Sequence, residues 1–503
     1  MQAEAAYSEL IGRVREESLL ASCADLLAWD EETYMPRRGA AHRSEQMALL
    51  AGIVHDRAAD PRIGELLAAV EGSPLVADRD TPEAVNVREI RRDYQRAARL
   101  PRRLLTDLAR VTTLAHHEWA FARRDADFAR YRPWLDKIIA LKRREAEALG
   151  YSETPYDALL DDYEPGAKSR DLAALFADLR RELVPLVGAI SEARRTPDIS
   201  ILHRDYPLER QQAFGEATAK ALGFDFQRGR LDSAAHPFSI GIGPGDCRIT
   251  TRYHPHDFTD AFFTILHETG HALYEQGLDP AHHGTPMGNA ASLGLHESQA
   301  RLWENTVGRS QSFWRHFFPL ARRAFPESLG DVALDAFHFA VNQVKPSLVR
   351  VQADEVTYNL HILIRFELEQ ALLAGDLKAA DVPAAWNEAY RRHLGIGPAN
   401  DAEGCLQDGH WACGLLGYFP TYTLGNVFAA QLYAAATAEL GGLDESFARG
   451  DFSGLLGWLR VQVHRWGGRY PAVRLIERIT GAAPDHRPLV ASLRRKYGEL
   501  YGL

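Results

Sequence analysis

Apolar residues recur at helical spacing along most of this chain. Stretches 5–26, 40–56, 101–125, 134–149 and 170–194, rich in Ala, Leu, Arg and Glu, predict long helices. Gly150 stops one of them and Pro197 follows another. The pattern breaks over 236–254. There Phe238, Ile240 and Ile242 alternate, Gly243-Pro244-Gly245 supplies a turn, and a β-rich run returns, which predicts a hairpin. A further helix follows directly. Asp257 and Thr259 are both N-cap candidates, and Asp260 adds negative charge to the first turn. Phe258, Ala261, Phe262, Ile265, Leu266, Ala272 and Leu273 keep the helical period, and Gly277 is a natural stop. Gly270 in its interior costs about 1 kcal/mol against alanine. The expected return is close approach of another backbone.

That helix carries His267-Glu268-Thr269-Gly270-His271. Residues four apart share a helical face, so His267 and His271 can present two imidazoles to one metal ion. Glu268 can take a proton from a metal-activated water, the chemistry that amide hydrolysis needs. A zinc site of this type needs a third protein ligand. Glu297 is the candidate, on a second helix expected to begin near Ser292 and to run through Glu304. Arg301, four residues on, can orient it. His296 and Glu275 are competing ligands, although His296 points about a hundred degrees away from Glu297 on a helix.

His267-Glu268-Thr269-Gly270-His271 followed by His296-Glu297-Ser298-Gln299-Ala300-Arg301-Leu302-Trp303-Glu304-Asn305 resembles the carboxypeptidase Taq family of metallocarboxypeptidases. His236-Pro237-Phe238 and Asp246-x-Arg248-x-Thr250 match that family's motifs. So do Arg350-x-x-Ala353-Asp354, with Val349 in place of an isoleucine, and Gly404-x-x-Gln407-Asp408-x-His410-Trp411. The likeness extends to Leu27-Ala28-Trp29-Asp30-x-x-Thr33-x-Met35-Pro36 and to Tyr156-Asp157-Ala158-Leu159-Leu160, so it spans essentially the whole chain. It implies a mainly α protein in which 1–503 form a single catalytic domain. Two helical lobes would flank a deep substrate groove, with a small β-hairpin or sheet beside the metal helix, similar to angiotensin-converting enzyme and thimet oligopeptidase. It also implies release of single amino acids from peptide C-termini with broad preference, zinc or in some members cobalt as the metal, and a homodimer.

An enzyme acting on C-termini must bind a free carboxylate, which suits the planar fork of arginine. Arg350 and Arg248 both qualify. Arg350 is favoured as the anchor and Arg248 as a site-lining residue, with internal ion pairs to Asp354 and Asp246 as the plain alternative. For the developing oxyanion, His410 leads as donor, with Tyr418 and Tyr422 behind it. Asp408 can orient His410 or a metal-binding histidine. An edge strand in the hairpin can hold extended substrate.

Composition agrees without selecting this reading. Over 503 residues, 46% are hydrophobic, enough for a large core. A net charge of −10 gives no encouragement to nucleic-acid or anionic-membrane binding. The first residues lack the pattern of a signal peptide, and no apolar run approaches a membrane span. Four cysteines, none in C-x-x-C, suggest a reducing compartment, hence the cytoplasm. Cys247 and Cys405 read as packing residues, and the arginine-rich run 88–103 as a solvated or dimer-facing surface. Two other functions remain: a zinc oligopeptidase that needs no carboxylate anchor, and a silent helical interaction protein, which the intact metal motif counts against.

Overall fold

The expected helices form, mostly longer than their periodicity suggests. In the computed structural model, which describes residues 2–503, they run Ala3–Thr33, Ala40–Ala58, Arg102–Asp125, Phe128–Leu149 and Ser169–Ser191. The fourth begins before its apolar pattern because the Asp127 side chain caps it, accepting from the Arg130 amide. Gly150 ends it at φ 81°, a conformation that favours glycine. The fold is mainly α, as expected, and no helix among the described residues is long and apolar enough to cross a membrane.

The hairpin is present as β2 (Ser239–Gly243) and β3 (Asp246–Thr251), paired antiparallel. The structure adds β1 (Gly229–Ser233), parallel to β3, so β3 is central and β2 lies at the edge. Ile249 to Thr251 of β3 are buried, beside the motif helix Phe258–Glu275. The N-terminal motif also reaches this sheet. Trp29 packs under the Arg248 guanidinium, 4.1 Å from its ring centre, and Asp30 accepts from Arg43 at 2.6 Å, tying the first two helices together.

Asp257 caps the motif helix, accepting from the amides of Thr259 and Asp260. Phe258 and Phe262 bury one face against Phe214, Trp314 and Phe325. The helix stops at Glu275 with Gln276 as its cap, which leaves Gly277 just past the end, as expected of a stop. Gly277 has a second use: a Cβ there would fall 2.2 Å from Nδ1 of His464.

The glutamate helix (Leu293–Arg301) starts where expected, with the Ser292 hydroxyl accepting from the Leu295 amide. It does not continue as α-helix to Glu304. A π-helical turn spans Leu302–Val307, the kind of insertion that re-aims side chains near functional sites. The motif and glutamate helices touch backbone to backbone. A Cβ on Gly270 would sit 2.6 Å from both Ala300 Cα and the Gln299 carbonyl oxygen, so the close approach expected of this glycine is what the fold uses. Gly425, on the long helix Pro420–Leu440, plays the same part on the other side, where a Cβ would be 2.5 Å from Glu297 Cγ. One large core surrounds these three helices, and a smaller one, with Leu10, Leu66 and Val87, sits among the N-terminal helices.

Gly270→Ala is therefore expected to destabilise the protein by about 1–3 kcal/mol, the usual cost of overpacking. This should hold although alanine is the better helix former by about 1 kcal/mol. Urea unfolding checks it; an unchanged or raised midpoint would contradict the backbone contact.

Candidate metal centre

The motif helix puts His267 and His271 on one face, and the glutamate helix brings Glu297 to them. Glu297 Oε2 lies 3.8 Å from His267 Nε2 and 3.6 Å from His271 Nε2, and the three donor atoms all lie within 4.8 Å of one another. For metal–ligand bonds of 2.0–2.1 Å, donors at the corners of a tetrahedron are roughly 3.3 Å apart, so this set fits a zinc-sized ion with little adjustment.

The atoms facing away from this point are already bonded. Glu297 Oε1 accepts from Arg301 Nε at 2.7 Å, the orienting contact expected four residues on. His267 Nδ1 lies 2.8 Å from Glu304 Oε2, and because the carboxylate only accepts, the imidazole donates. That fixes the proton on Nδ1 and leaves the Nε2 lone pair toward Glu297. The competing ligands of the sequence stand behind the site. His296 Nδ1 contacts His271 Nδ1 at 2.6 Å, and its Nε2 bonds Glu275 Oε1 at 2.8 Å.

Electrostatics follow from burial among these charges. Burial alone would depress His267, but Glu297 and Glu304 outweigh it and the net shift is upward. His271 is driven well down by burial, then by His296 and His267. Glu304 resists burial because Arg301, His267 and Arg309 hold it at about 2. Burial pushes the Glu268 carboxyl up to about 7.

A second cluster lies on the 404–422 segment. Both Nε and Nη2 of Arg350 bond Asp408 Oδ1, at 3.0 and 2.8 Å, and Nη1 bonds the Tyr358 hydroxyl at 3.0 Å. Arg365, wholly buried, takes the other oxygen of Asp408. The ion partner of Arg350 is thus Asp408 and not Asp354, which instead caps backbone amides of Val356 and Thr357. Burial would raise Asp408, but the two guanidiniums hold it far below the usual carboxylate range. Asp408 serves them first; His410 Nδ1 is 3.9 Å away. His410 Nε2 lies 3.2 Å from the Tyr422 hydroxyl, and the Tyr418 ring packs against both. Burial depresses His410 to about 4 and raises both tyrosines, Tyr418 to about 12, with Glu297 adding to each.

Arg248 is forked onto Asp246 by Nε and Nη2 at 2.8 and 2.6 Å and stacked on Trp29, the internal ion pair that was its plainer reading. Arg92 and Arg96 of the arginine-rich run pair with Asp161 and Asp162. Cys247 and Cys405 are buried, and burial pushes the Cys247 thiol to about 12, consistent with packing.

Sequence reasoning missed Glu304, Tyr358, Arg365 and Glu369. Glu304 follows Arg301 by three, a legible spacing, but its aim depends on the π-helical turn. Tyr358 lies under Arg301 at 4.3 Å and accepts from Arg350, joining the two clusters. Glu369 accepts from Tyr156, Trp411 and the Gly417 amide, which ties two of the quoted motifs together.

Comparison with known proteins agrees. A family model described as carboxypeptidase Taq (M32) metallopeptidase matches residues 9–497. Thermostable carboxypeptidase 1 of Thermus thermophilus is 53% identical, covering 100% of both chains. Carboxypeptidase 1 of Bacillus subtilis is 37% identical over 99% of this chain and 98% of its own. The crystal structure of an M32 carboxypeptidase from Deinococcus radiodurans superposes with a TM-score of 0.96 at 43% identity, covering 99% of this chain and 100% of that one. This chain belongs to the carboxypeptidase Taq (M32) metallopeptidase family and is a metallocarboxypeptidase.

Proposed function

We propose that the protein releases single amino acids, with broad preference, from the free C-termini of peptides. In this reading 1–503 form one catalytic domain, working as a cytoplasmic homodimer. The metal is zinc, with cobalt as a substitute, held by His267, His271 and Glu297. A divalent ion there would polarise the scissile carbonyl and acidify a water. Glu268 takes the proton of the attacking water and hands it to the leaving amine; its burial beside these residues favours a carboxyl that can do both. The pair His410 and Tyr422 donates to the oxyanion, and Tyr418 packs behind them.

One observation carries the exopeptidase assignment. Two buried guanidiniums, Arg350 and Arg365, share the single carboxylate of Asp408, which leaves an excess of positive charge. Arg350 spends three of its five N–H groups on Asp408 and Tyr358. A substrate carboxylate can take the others and neutralise the excess. Arg248 and Asp246 already form a neutral pair, so Arg248 serves by shaping the cleft with Trp29. An oligopeptidase would have no use for the charge at Arg350.

A peptide offered as free acid and as C-terminal amide tests this by mass spectrometry of the products. Stepwise shortening of the acid alone, abolished by chelator, is expected; internal cleavage of both would mean an oligopeptidase. Glu268→Gln keeps shape but cannot carry the proton, so kcat should fall on the order of 10²–10⁴-fold with zinc affinity retained. Arg350→Met leaves Asp408 paired with Arg365 and removes the anchor. Losing a buried charge pair of this kind costs about 2–5 kcal/mol, so kcat/KM on free-acid peptides should drop at least ~30-fold. Parent-like kinetics would remove the anchor role.

A further inference from the structure

The two histidines of the motif are held by different devices. His267 meets a carboxylate directly, whereas His271 meets a second imidazole that itself meets a carboxylate. Bonding fixes the protons in this chain. Glu275 Oε1 accepts, so His296 Nε2 carries a proton. The contact between the two Nδ1 atoms, 2.6 Å long, holds one proton. If His296 donated it, a neutral His271 would carry its own proton on Nε2, the atom beside Glu297, and could not be a ligand there. Only donation by His271 Nδ1 to His296 Nδ1 leaves His271 Nε2 free for a metal.

We propose that His296 and Glu275 are positioning residues, a two-step relay that fixes the tautomer and ring angle of His271. The relay is anchored on both helices. Glu275 is in the last turn of the motif helix, four residues after His271, and His296 is in the first turn of the glutamate helix, next to Glu297. It therefore sets His271 relative to Glu297 as well as to its own helix. The site around it is packed: the His296 ring meets His271 edge to edge, tilted by 40° with ring centres 4.6 Å apart, and lies 5.3 Å from the tilted ring of Tyr274. Gly241 of β2 leaves room for Glu275, since a Cβ there would be 2.8 Å from its Oε2. A ligating histidine usually donates its other nitrogen to a carboxylate or carbonyl, and loss of that partner typically costs 10–100-fold in metal affinity. Here an imidazole takes that place and passes the demand on to Glu275.

The inference rests on the ligand set proposed above, and the experiment separates the two. Zinc affinity of the full chain would be measured by competition with a chromogenic chelator, alongside the visible spectrum of the cobalt form. His296→Asn and His296→Leu share the same branched skeleton of four side-chain heavy atoms, but only asparagine offers an acceptor near the Nδ1 position. Zinc binding by the leucine variant should be 10–100-fold weaker than by the asparagine variant, with an altered cobalt spectrum. Glu275→Leu, at a partly exposed position, should weaken zinc in the same direction, and Glu275→Gln, which keeps an acceptor, by less. If either histidine variant fails to fold, the Glu275 pair decides. Equal affinities across the folded pairs, with the parent binding zinc, would overturn the relay alone. A parent that binds no zinc would overturn the ligand set instead.

Discussion

The site depends on one contact, the touching backbones of the motif and glutamate helices at Gly270. Two imidazoles on a single helix offer two donors and no more. The third donor comes from a helix whose Ala300 Cα would stand 2.6 Å from any Cβ placed on Gly270. Glycine gives up helix propensity there, and the separation it permits brings Glu297 Oε2 within 3.6 and 3.8 Å of the two Nε2 atoms. Gly425 presses the glutamate helix from the far side. Donor spacing is thus set by main-chain packing, which is stiff, rather than by flexible side chains.

Around this frame, charge is arranged in unequal groups. Glu304 is shared by His267, Arg301 and Arg309, so His267 is oriented by a carboxylate that is itself restrained. Asp408 is likewise one acid between two guanidiniums, Arg350 and Arg365. In the first arrangement Glu297 is a second acid on Arg301, which balances the two guanidiniums within the protein. The second is not balanced in this way, and a buried imbalance favours a ligand of opposite charge.

Local patterns made much of this legible. Helical periodicity located the long helices, Asp257 and Ser292 marked two starts, and the spacing of His267, His271 and Glu297 named the donors that converge. What stayed hidden depends on distant parts of the chain. β1 pairs in parallel with β3 past the intervening strand β2, which no turn signal announces. The plain alternative for Arg350 named its near neighbour Asp354 as ion partner, but tertiary packing delivered Asp408 instead. Glu304 was visible as a residue, yet a π-helical turn decides where it points. Arg365 and Glu369 lie on a helix, Tyr358–Ala374, buried nearly all round, where no amphipathic pattern singles out one polar residue.

Tyr358 links the two clusters in a way that concerns distance. Its ring face carries Arg301, which grips the Glu297 carboxylate, and its hydroxyl receives Arg350. Neither arginine can shift without disturbing the same six-membered ring. In the reading proposed above, the place where a bond would be cut and the place where a chain end would be gripped are spaced by this one rigid aromatic side chain. A protein built this way carries a ruler whose length is the size of a tyrosine.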